Sequence, residues 1–212
     1  MKHILTVTGA SGAGKDSLVD AILVLNGIKH ARDCNNIANE FSRKIKRCRV
    51  KELISHSTRD PRPGEVDGIT YYFVTEEEFS KLLKVEETEY AGKHYCLSES
   101  ELMSIPENTW GIVIVDQNGA KAISEFVKEH PHDYDMTSVF LSVDHYVSKN
   151  RMEERGDSDE SVHKRLMQQD ERHEYSPKDI YFFDMVLNAN TFDDFKDNVQ
   201  RVQEVLYLSK SR

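Results

Sequence analysis

The chain reads as an α/β fold: a parallel sheet with helices on both faces, an inserted α+β subdomain and a charged flap. Three observations predict it. Short β-branched or apolar runs alternate with helix-length stretches, the rhythm of βαβ units feeding a parallel sheet. Residues 110–115 (WGIVIV) are apolar almost throughout, as a strand covered on both faces must be. A glycine-rich turn joins the first strand-like run to the first helix-like one.

In chain order, residues 3–8 (HILTVT) predict a strand, residues 9–14 the turn, and residues 15–25 a helix. Residues 55–103, rich in Tyr, Thr and Glu, break the rhythm and predict short strands with one helix over 76–83. The core resumes with a strand at 110–115 and a helix at 119–129, then a strand at 137–143 and a helix near 145–154. Residues 154–174 are charged, carry a helix from about Asp159, and read as a solvated flap. A strand at 182–187 and an amphipathic helix at 192–208 close the chain. The whole is expected to be one domain of residues 1–212. Its core takes in about 1–54, 109–150 and 176–212, the inserted subdomain about 55–108 and the flap about 151–175.

Composition narrows the function. At ~150 residues per domain, 212 residues make one elaborated unit, long enough to bury a core without staples. The longest dense apolar run, AILVL at 21–25, is far short of the ~18 residues of a membrane helix, and the N-terminal apolar stretch is too short for a signal peptide. Thirty-seven acids against 28 bases leave a net charge of −9, the opposite of a nucleic-acid binder. Cys34, Cys48 and Cys96 are odd in number and form no C-x-x-C pair, which fits a reducing cytoplasm and neither a disulfide framework nor a zinc site. The nine histidines show no H-E-x-x-H. The expectation is therefore a cytoplasmic protein, monomer or homodimer, with no membrane and no nucleic-acid partner. Residues 43–51 (RKIKRCRVK) hold six bases in nine and read as a solvated helix face or turn, or as a contact for an anionic ligand or partner.

Gly9, Ala10, Ser11, Gly12, Ala13, Gly14 and Lys15 match G-x-x-x-x-G-K, between a predicted strand and a predicted helix as the motif requires. Its glycines let successive N–H groups point inward while the helix N-terminus adds partial positive charge, and the lysine reaches the β- and γ-phosphates. The motif makes the sheet that of a P-loop NTPase. Asp16 stands where Ser or Thr normally places a hydroxyl on Mg2+, and Ser17 follows. A carboxylate 4 Å from a phosphate charge costs ~4 kcal/mol at an effective dielectric of 20. It is tolerated if it takes the Mg2+ itself, as a hard oxygen donor, or turns away.

Residues 55–65 (SHSTRDPRPGE) and 66–73 (VDGITYYF) form a second constellation. Two arginines around a proline-stiffened turn, followed by strand tyrosines, suit a second phosphate: the guanidinium fork matches its oxygens and phenols add neutral donors.

The stretch STRDPRPGEVDGITYYFV, with the phosphate loop, resembles the guanylate kinase family, and the similarity extends over nearly the whole chain, through DQNG at 116–119, the RG…KRL stretch at 155–166 and the terminal strand and helix. The resemblance implies a parallel-sheet core, an NMP-binding subdomain and a lid, with Mg2+-dependent transfer of the ATP γ-phosphoryl group to GMP or dGMP. It places Arg59, Arg62, Tyr71 and Tyr95 on the acceptor phosphate, and Ser55 and Glu89 on the guanine edge. It makes Arg155 and Arg165 lid arginines for the ATP phosphates, with Arg151 a further candidate, and Asp116 an acidic position at the end of a core strand. Lys15, Arg59, Arg155 and Arg165 are then the catalytic set, and residues 9–17 the ATP loop.

The chain departs from the family pattern at Leu97, where Ser or Thr usually faces the base (a gap shift would bring in Ser98), and at Ile114, in place of a frequent aspartate. The stretch between Leu25 and Ser55 is longer than usual. GKDS in the loop and Arg59-Asp60 are also similar to ribose 1,5-bisphosphate phosphokinase, which phosphorylates a sugar bisphosphate. Alternative acceptors, a modified deoxynucleoside monophosphate or ribose 1,5-bisphosphate, thus stay open. So does an inactive module docking a phosphorylated partner, a reading supported by Asp16.

Overall fold

The computed structural model describes residues 1–28, 46–62, 64–90, 92–172, 174–177 and 180–208. Its core is a five-stranded, wholly parallel sheet in the order β2-β7-β1-β8-β9. These strands are β1 (Lys2–Gly9), β2 (Val50–Glu52), β7 (Trp110–Ile114), β8 (Tyr134–Ser142) and β9 (Met185–Asn188).

Strand alternation divides the interior in two. Leu5 and Val7 of β1, Ile112 of β7, and Val139 and Leu141 of β8 join helices α1 (Lys15–Leu25) and α7 (Phe192–Leu208) in one core cluster. Ile4, Val113 and Phe140, one residue out of phase, join Ala120 and Ile123 of α4 (Gln117–Glu129) in the other. Side chains of period two cannot do otherwise on a sheet covered on both faces. Trp110, 1% exposed, also satisfies its indole by donating to the Leu206 carbonyl at 3.0 Å, pinning α7 to the sheet.

A second, four-stranded sheet runs β4-β3-β6-β5, from β3 (His56–Ser57), β4 (Tyr72–Phe73), β5 (Lys84–Tyr90) and β6 (Lys93–Ser98). Beside it, helix α2 (Glu76–Ser80) begins with a capping box between Thr75 and Glu78. It ends three residues before the 76–83 expected. Ser98 caps α3 (Glu99–Met103), a short helix that the sequence pattern did not separate from the strands. Helices α5 (His145–Glu154) and α6 (Asp159–Arg172) follow β8.

Two further expectations are corrected. The strand expected from residue 182 starts only at Met185: residues Ile180–Phe182 form a 3-10 turn, and the Asp184 carboxylate accepts from Ser138 N at 2.7 Å and Ser138 Oγ at 2.9 Å before the ladder begins. The basic stretch 43–51 is neither wholly a helix face nor a turn. Its end forms β2, Cys48 is buried, and Lys51 pairs with Glu101 at 3.0 Å, while residues 43–45 lie outside the described residues. Among the described residues no helix is long and apolar enough to cross a membrane. The C-terminal ends of β1 and β7 open onto one side of the sheet, where ligands of such sheets bind.

Candidate active site

The phosphate loop leaves β1 at Gly9 and enters α1 at Lys15. Gly9 (φ +146°) could carry no side chain, since a Cβ there would lie 2.5 Å from the Leu141 carbonyl oxygen. At Gly12 (φ +75°) it would lie 2.8 Å from that of Ser148. Only glycine lets the loop curl this closely against β8 and α5. The same contacts hold it from behind. Ser148 Oγ donates to Ser11 O at 2.8 Å, and the Arg151 guanidinium donates to Gly12 O at 2.9 Å, Ala189 O at 2.7 Å and Asn190 O at 3.1 Å. Arg151 thereby braces the loop through backbone carbonyls and is absent from the cleft wall. The N-cap of α1 is Gly14, which has no side chain to satisfy the first N–H groups of the helix, and these are the groups such a loop offers to an anion. Lys15 Nζ donates to Gly9 O at 2.7 Å and Ala10 O at 2.9 Å. Burial pulls its pKa down, against the opposing pull of the Asp16 and Glu174 carboxylates. Asp16 and Ser17 are both exposed on the first turn of α1.

Across a cleft of about 1100 Å³, counting the space open to solvent, Lys15 faces Arg59, Arg62, Tyr71 and Tyr95 from the second sheet. The Arg59 fork grips Glu65 through two hydrogen bonds of 2.6 Å, and its plane lies 5.0 Å over the Tyr71 ring and 5.3 Å over Phe73. That bidentate bond holds the Glu65 carboxyl at about 2. Tyr71 meets Tyr95 edge-on at 5.7 Å. Burial, then the neighbouring Tyr95, pushes the Tyr71 phenol above its ordinary value, so it is a proton-bearing donor at neutral pH. One anion could be gripped here by two guanidinium groups and two phenols.

The far end of the cleft is lined by Ser55, Glu86, Thr88, Tyr90, Ile114 and Asp116. Glu89, expected to read a base here, is exposed and lines an adjoining pocket with Thr88, Asp116, Arg172 and Glu174, while Glu86, Thr88 and Tyr90 share the parity that lines the cleft itself. The inward carboxyl is Glu86, only 6% exposed and pushed up to about 7 by burial and by the nearby Asp116. Asp116 Oδ1 accepts from Gly119 N at 2.8 Å, capping α4, and Oδ2 accepts from Thr88 Oγ1 at 3.0 Å. Leu97, opposite Glu86 in the ladder, is fully buried in the second core cluster. Ser98 does not replace it, because its hydroxyl is committed to capping α3, accepting from Glu101 N at 3.3 Å. Ile114 stands in the cleft wall.

Of the lid arginines, Arg165 lines the cleft, with its guanidinium 3.9 Å from Asp157. Arg155, about half exposed, is forked onto the same Asp157 and is absent from the cleft wall, although its charge is felt at Lys15. The Arg155 hydrogen bond holds Asp157 below the usual carboxylate range.

The family model described as guanylate kinase matches residues 1–206. The chain belongs to the guanylate kinase family. It is 29% identical over 206 residues to a guanylate kinase of Lactobacillus johnsonii, an alignment covering 93% of this chain and 87% of that protein. To the guanylate kinase of Methylobacillus flagellatus it is 32% identical over 126 residues, 57% of this chain and about half, 52%, of that one. The crystal structure of guanylate kinase from Anaplasma phagocytophilum matches its fold with a TM-score of 0.64 at 17% identity, covering 100% of this chain and 87% of the other. Guanylate kinase family membership makes the chain an ATP-dependent nucleoside monophosphate kinase.

Within this guanylate kinase family frame, the fold gathers Lys15, Ser55, Arg59, Arg62, Tyr71, Tyr95, Asp116 and Arg165 at one cleft and leaves Glu89 and Arg155 out of its wall. It adds Glu86, Arg172 and Glu174, which sequence reasoning missed. A signal for Glu86 was present once the strand is known: Glu86, Thr88 and Tyr90 recur at period two along β5. Arg172 and Glu174 sit at and just beyond the end of α6 and reach the cleft only through the packing of the lid, for which the sequence carries no local sign.

Proposed function

We propose that the chain transfers the γ-phosphoryl group of ATP to GMP or dGMP, giving ADP and the diphosphate. The observation that carries this reading is the convergence of two anion grips in one cleft: the loop with Lys15, and the clamp of Arg59, Arg62, Tyr71 and Tyr95. Two carboxyls, Glu86 and Asp116, stand at the end where a base would lie. Residues 9–17 hold the ATP tail, and the clamp aims the acceptor phosphate in line. Arg165, and Arg155 on release from Asp157, bring positive charge to the transferring group. Phosphoryl transfer asks mainly for such positioning and charge stabilisation. No general base is needed, because a phosphate monoester with a second pKa of about 6 is largely ionised at neutral pH. Ser55, Glu86 and Asp116 take the base edge. Residues about 55–108 act as the NMP-binding subdomain and about 151–175 as the lid, on a core of the remaining residues.

Mg2+ fits this donor set. Among the described residues no group of three or more His, Cys, Asp or Glu could hold a metal alone, and Asp16 and Ser17 offer oxygens beside Lys15. That matches the habit of Mg2+ of taking one or two protein oxygens and completing its shell from phosphates and water. When bound, it would neutralise charge on the β- and γ-phosphates. The acidic balance of the chain supports an enzyme of free nucleotides and not of nucleic acid.

A second reading has its own support. Apolar Ile114 in the cleft wall, and the core burial of Leu97 where the family has Ser or Thr, favour another phosphorylated acceptor, such as a modified deoxynucleotide or ribose 1,5-bisphosphate. The test is MgATP-dependent ADP formation against GMP, dGMP, AMP, dAMP, CMP, UMP, dTMP and ribose 1,5-bisphosphate. Turnover confined to GMP and dGMP is expected, and turnover only with another acceptor replaces the first reading by the second. Silence with every acceptor and no MgATP binding overturns both in favour of a docking module.

A further inference from the structure

We propose that Arg172 donates to the oxo group of the acceptor base, a role that rests on the assignment of the cleft to a guanine nucleotide. Arg172 is the last residue of the lid helix α6, yet its guanidinium lies at the base end. Nη1 is 3.9 Å from Asp116 Oδ2, Nη2 donates to the Glu89 carbonyl at 2.8 Å, and the plane lies 5.5 Å over the Tyr90 ring.

Donor and acceptor accounting gives it the role. Guanine offers N–H donors on the edge where Glu86 and Asp116 supply acceptors, and beside them an oxo group that needs a donor. Leu97 and Ile114 have none to give. The Thr88 hydroxyl donates to Asp116. Ser55, the Tyr90 phenol and Arg172 remain along that wall, and of the five N–H groups of Arg172 only one makes a hydrogen bond among the described residues. A charge-assisted bond from a guanidinium is the strongest of the three. An amino group in place of the oxo group would set donor against donor in a closed site, the most discriminating kind of mismatch. Because the donor sits on α6, reading the base and closing the lid become one event. The correct base gives the lid helix a partner that a wrong base does not.

The test is a cycle between protein and acceptor. Initial rates are measured for wild type, R172A, R172K and S55A with GMP and with 6-thioguanosine monophosphate, which keeps both N–H donors and exchanges the oxygen for a weakly accepting sulfur. Wild type should favour GMP by about tenfold or more in kcat/KM, the worth of a hydrogen bond to a charged group. In R172A this preference should shrink to within about twofold of unity, with an intermediate ratio in R172K, which keeps the charge but loses the fork, and KM for ATP within about twofold of wild type throughout. S55A, which loses a base-edge contact other than the one to the oxo group, should slow both acceptors alike and so keep the wild-type ratio. Equal losses with both acceptors in R172A would make Arg172 only a tie between α6 and β5 and overturn the proposal. So would collapse of the ratio in S55A alone, which would make Ser55 the reader. If wild type binds MgATP but turns over neither acceptor, the acceptor assignment itself falls, and the role of Arg172 with it. Thermal unfolding of each variant separates lost chemistry from lost fold. Should R172A not fold, R172K decides.

Discussion

The two ends of the cleft are built in different ways. The phosphate end is one continuous stretch of seven residues whose function lies in backbone amides and a single lysine, braced from behind by Ser148 and Arg151. The base end is assembled from β5, the end of β7, the start of α4 and the end of α6, and its function lies in side chains whose direction depends on strand parity and lid packing. A backbone-built site tolerates change around it as long as its glycines and brace persist. A side-chain-built site is retuned by any one residue, which is where this chain departs from its family, at Leu97 and Ile114.

The largest effect should come at the phosphate end. Lys15→Ala removes the one mobile cation of the loop, and transfer should fall on the order of 10³-fold or more. Stability should hardly change, because Lys15 bonds only to carbonyls of its own loop. Turnover near the wild-type rate would dissolve the contrast by showing that the loop does not carry catalysis.

Glu86→Gln probes the base end. The Glu86 carboxyl is held at about 7 in the folded chain, against 4.5 when unfolded. Below pH 4.5 it is protonated in both states. Between pH 4.5 and 7 only the folded chain keeps the proton, so stability falls as pH rises through that window and levels off above it. A displacement of that size corresponds to roughly 3 kcal/mol. Gln cannot ionise, so in urea unfolding the variant should lose this slope and gain on wild type at pH 8, while KM for GMP rises about tenfold and KM for ATP stays put. Parallel pH profiles for the two proteins would show that Glu86 ionises as a solvated carboxyl and is no part of a closed pocket.

The smallest effect is expected at Glu65→Gln, which loosens Arg59 without removing it. The Glu65 carboxyl is held at about 2, so its contribution is complete above pH 4.5 and lost as pH falls toward 2. At pH 7 the variant should be about 1 kcal/mol less stable or nearly neutral, and kcat/KM for the acceptor should drop a few-fold. In thermal melts the difference should vanish toward pH 2. A loss of transfer as deep as that of Lys15→Ala would mean that Glu65 does more than orient the clamp.

The same contrast explains what was readable. The helices expected at 15–25, near 145–154 and at 192–208 have the bounds the structure shows; the last carries an apolar stripe that answers to a sheet face needing cover, and the first is buried along most of its length. The loop and the arginine clamp were readable as motifs, since their chemistry is local. The resemblance put Glu89 at the base edge and did not bring up Glu86, whose place in the cleft wall follows from strand parity along β5. Arg151 looked like a lid arginine by its place in the chain, and three backbone carbonyls from two distant loops gave it another task.

From the order of its residues alone, this chain was bound to form a parallel α/β sheet with an anion-binding loop, because period, glycine placement and the Gly-Lys pair act over a few residues. Which carboxyl faces the base, which arginines reach the cleft and which serve as braces came from packing. Those outcomes depend on contacts between segments up to about 140 residues apart, such as Arg151 with Gly12, and no local propensity encodes a partner at that distance.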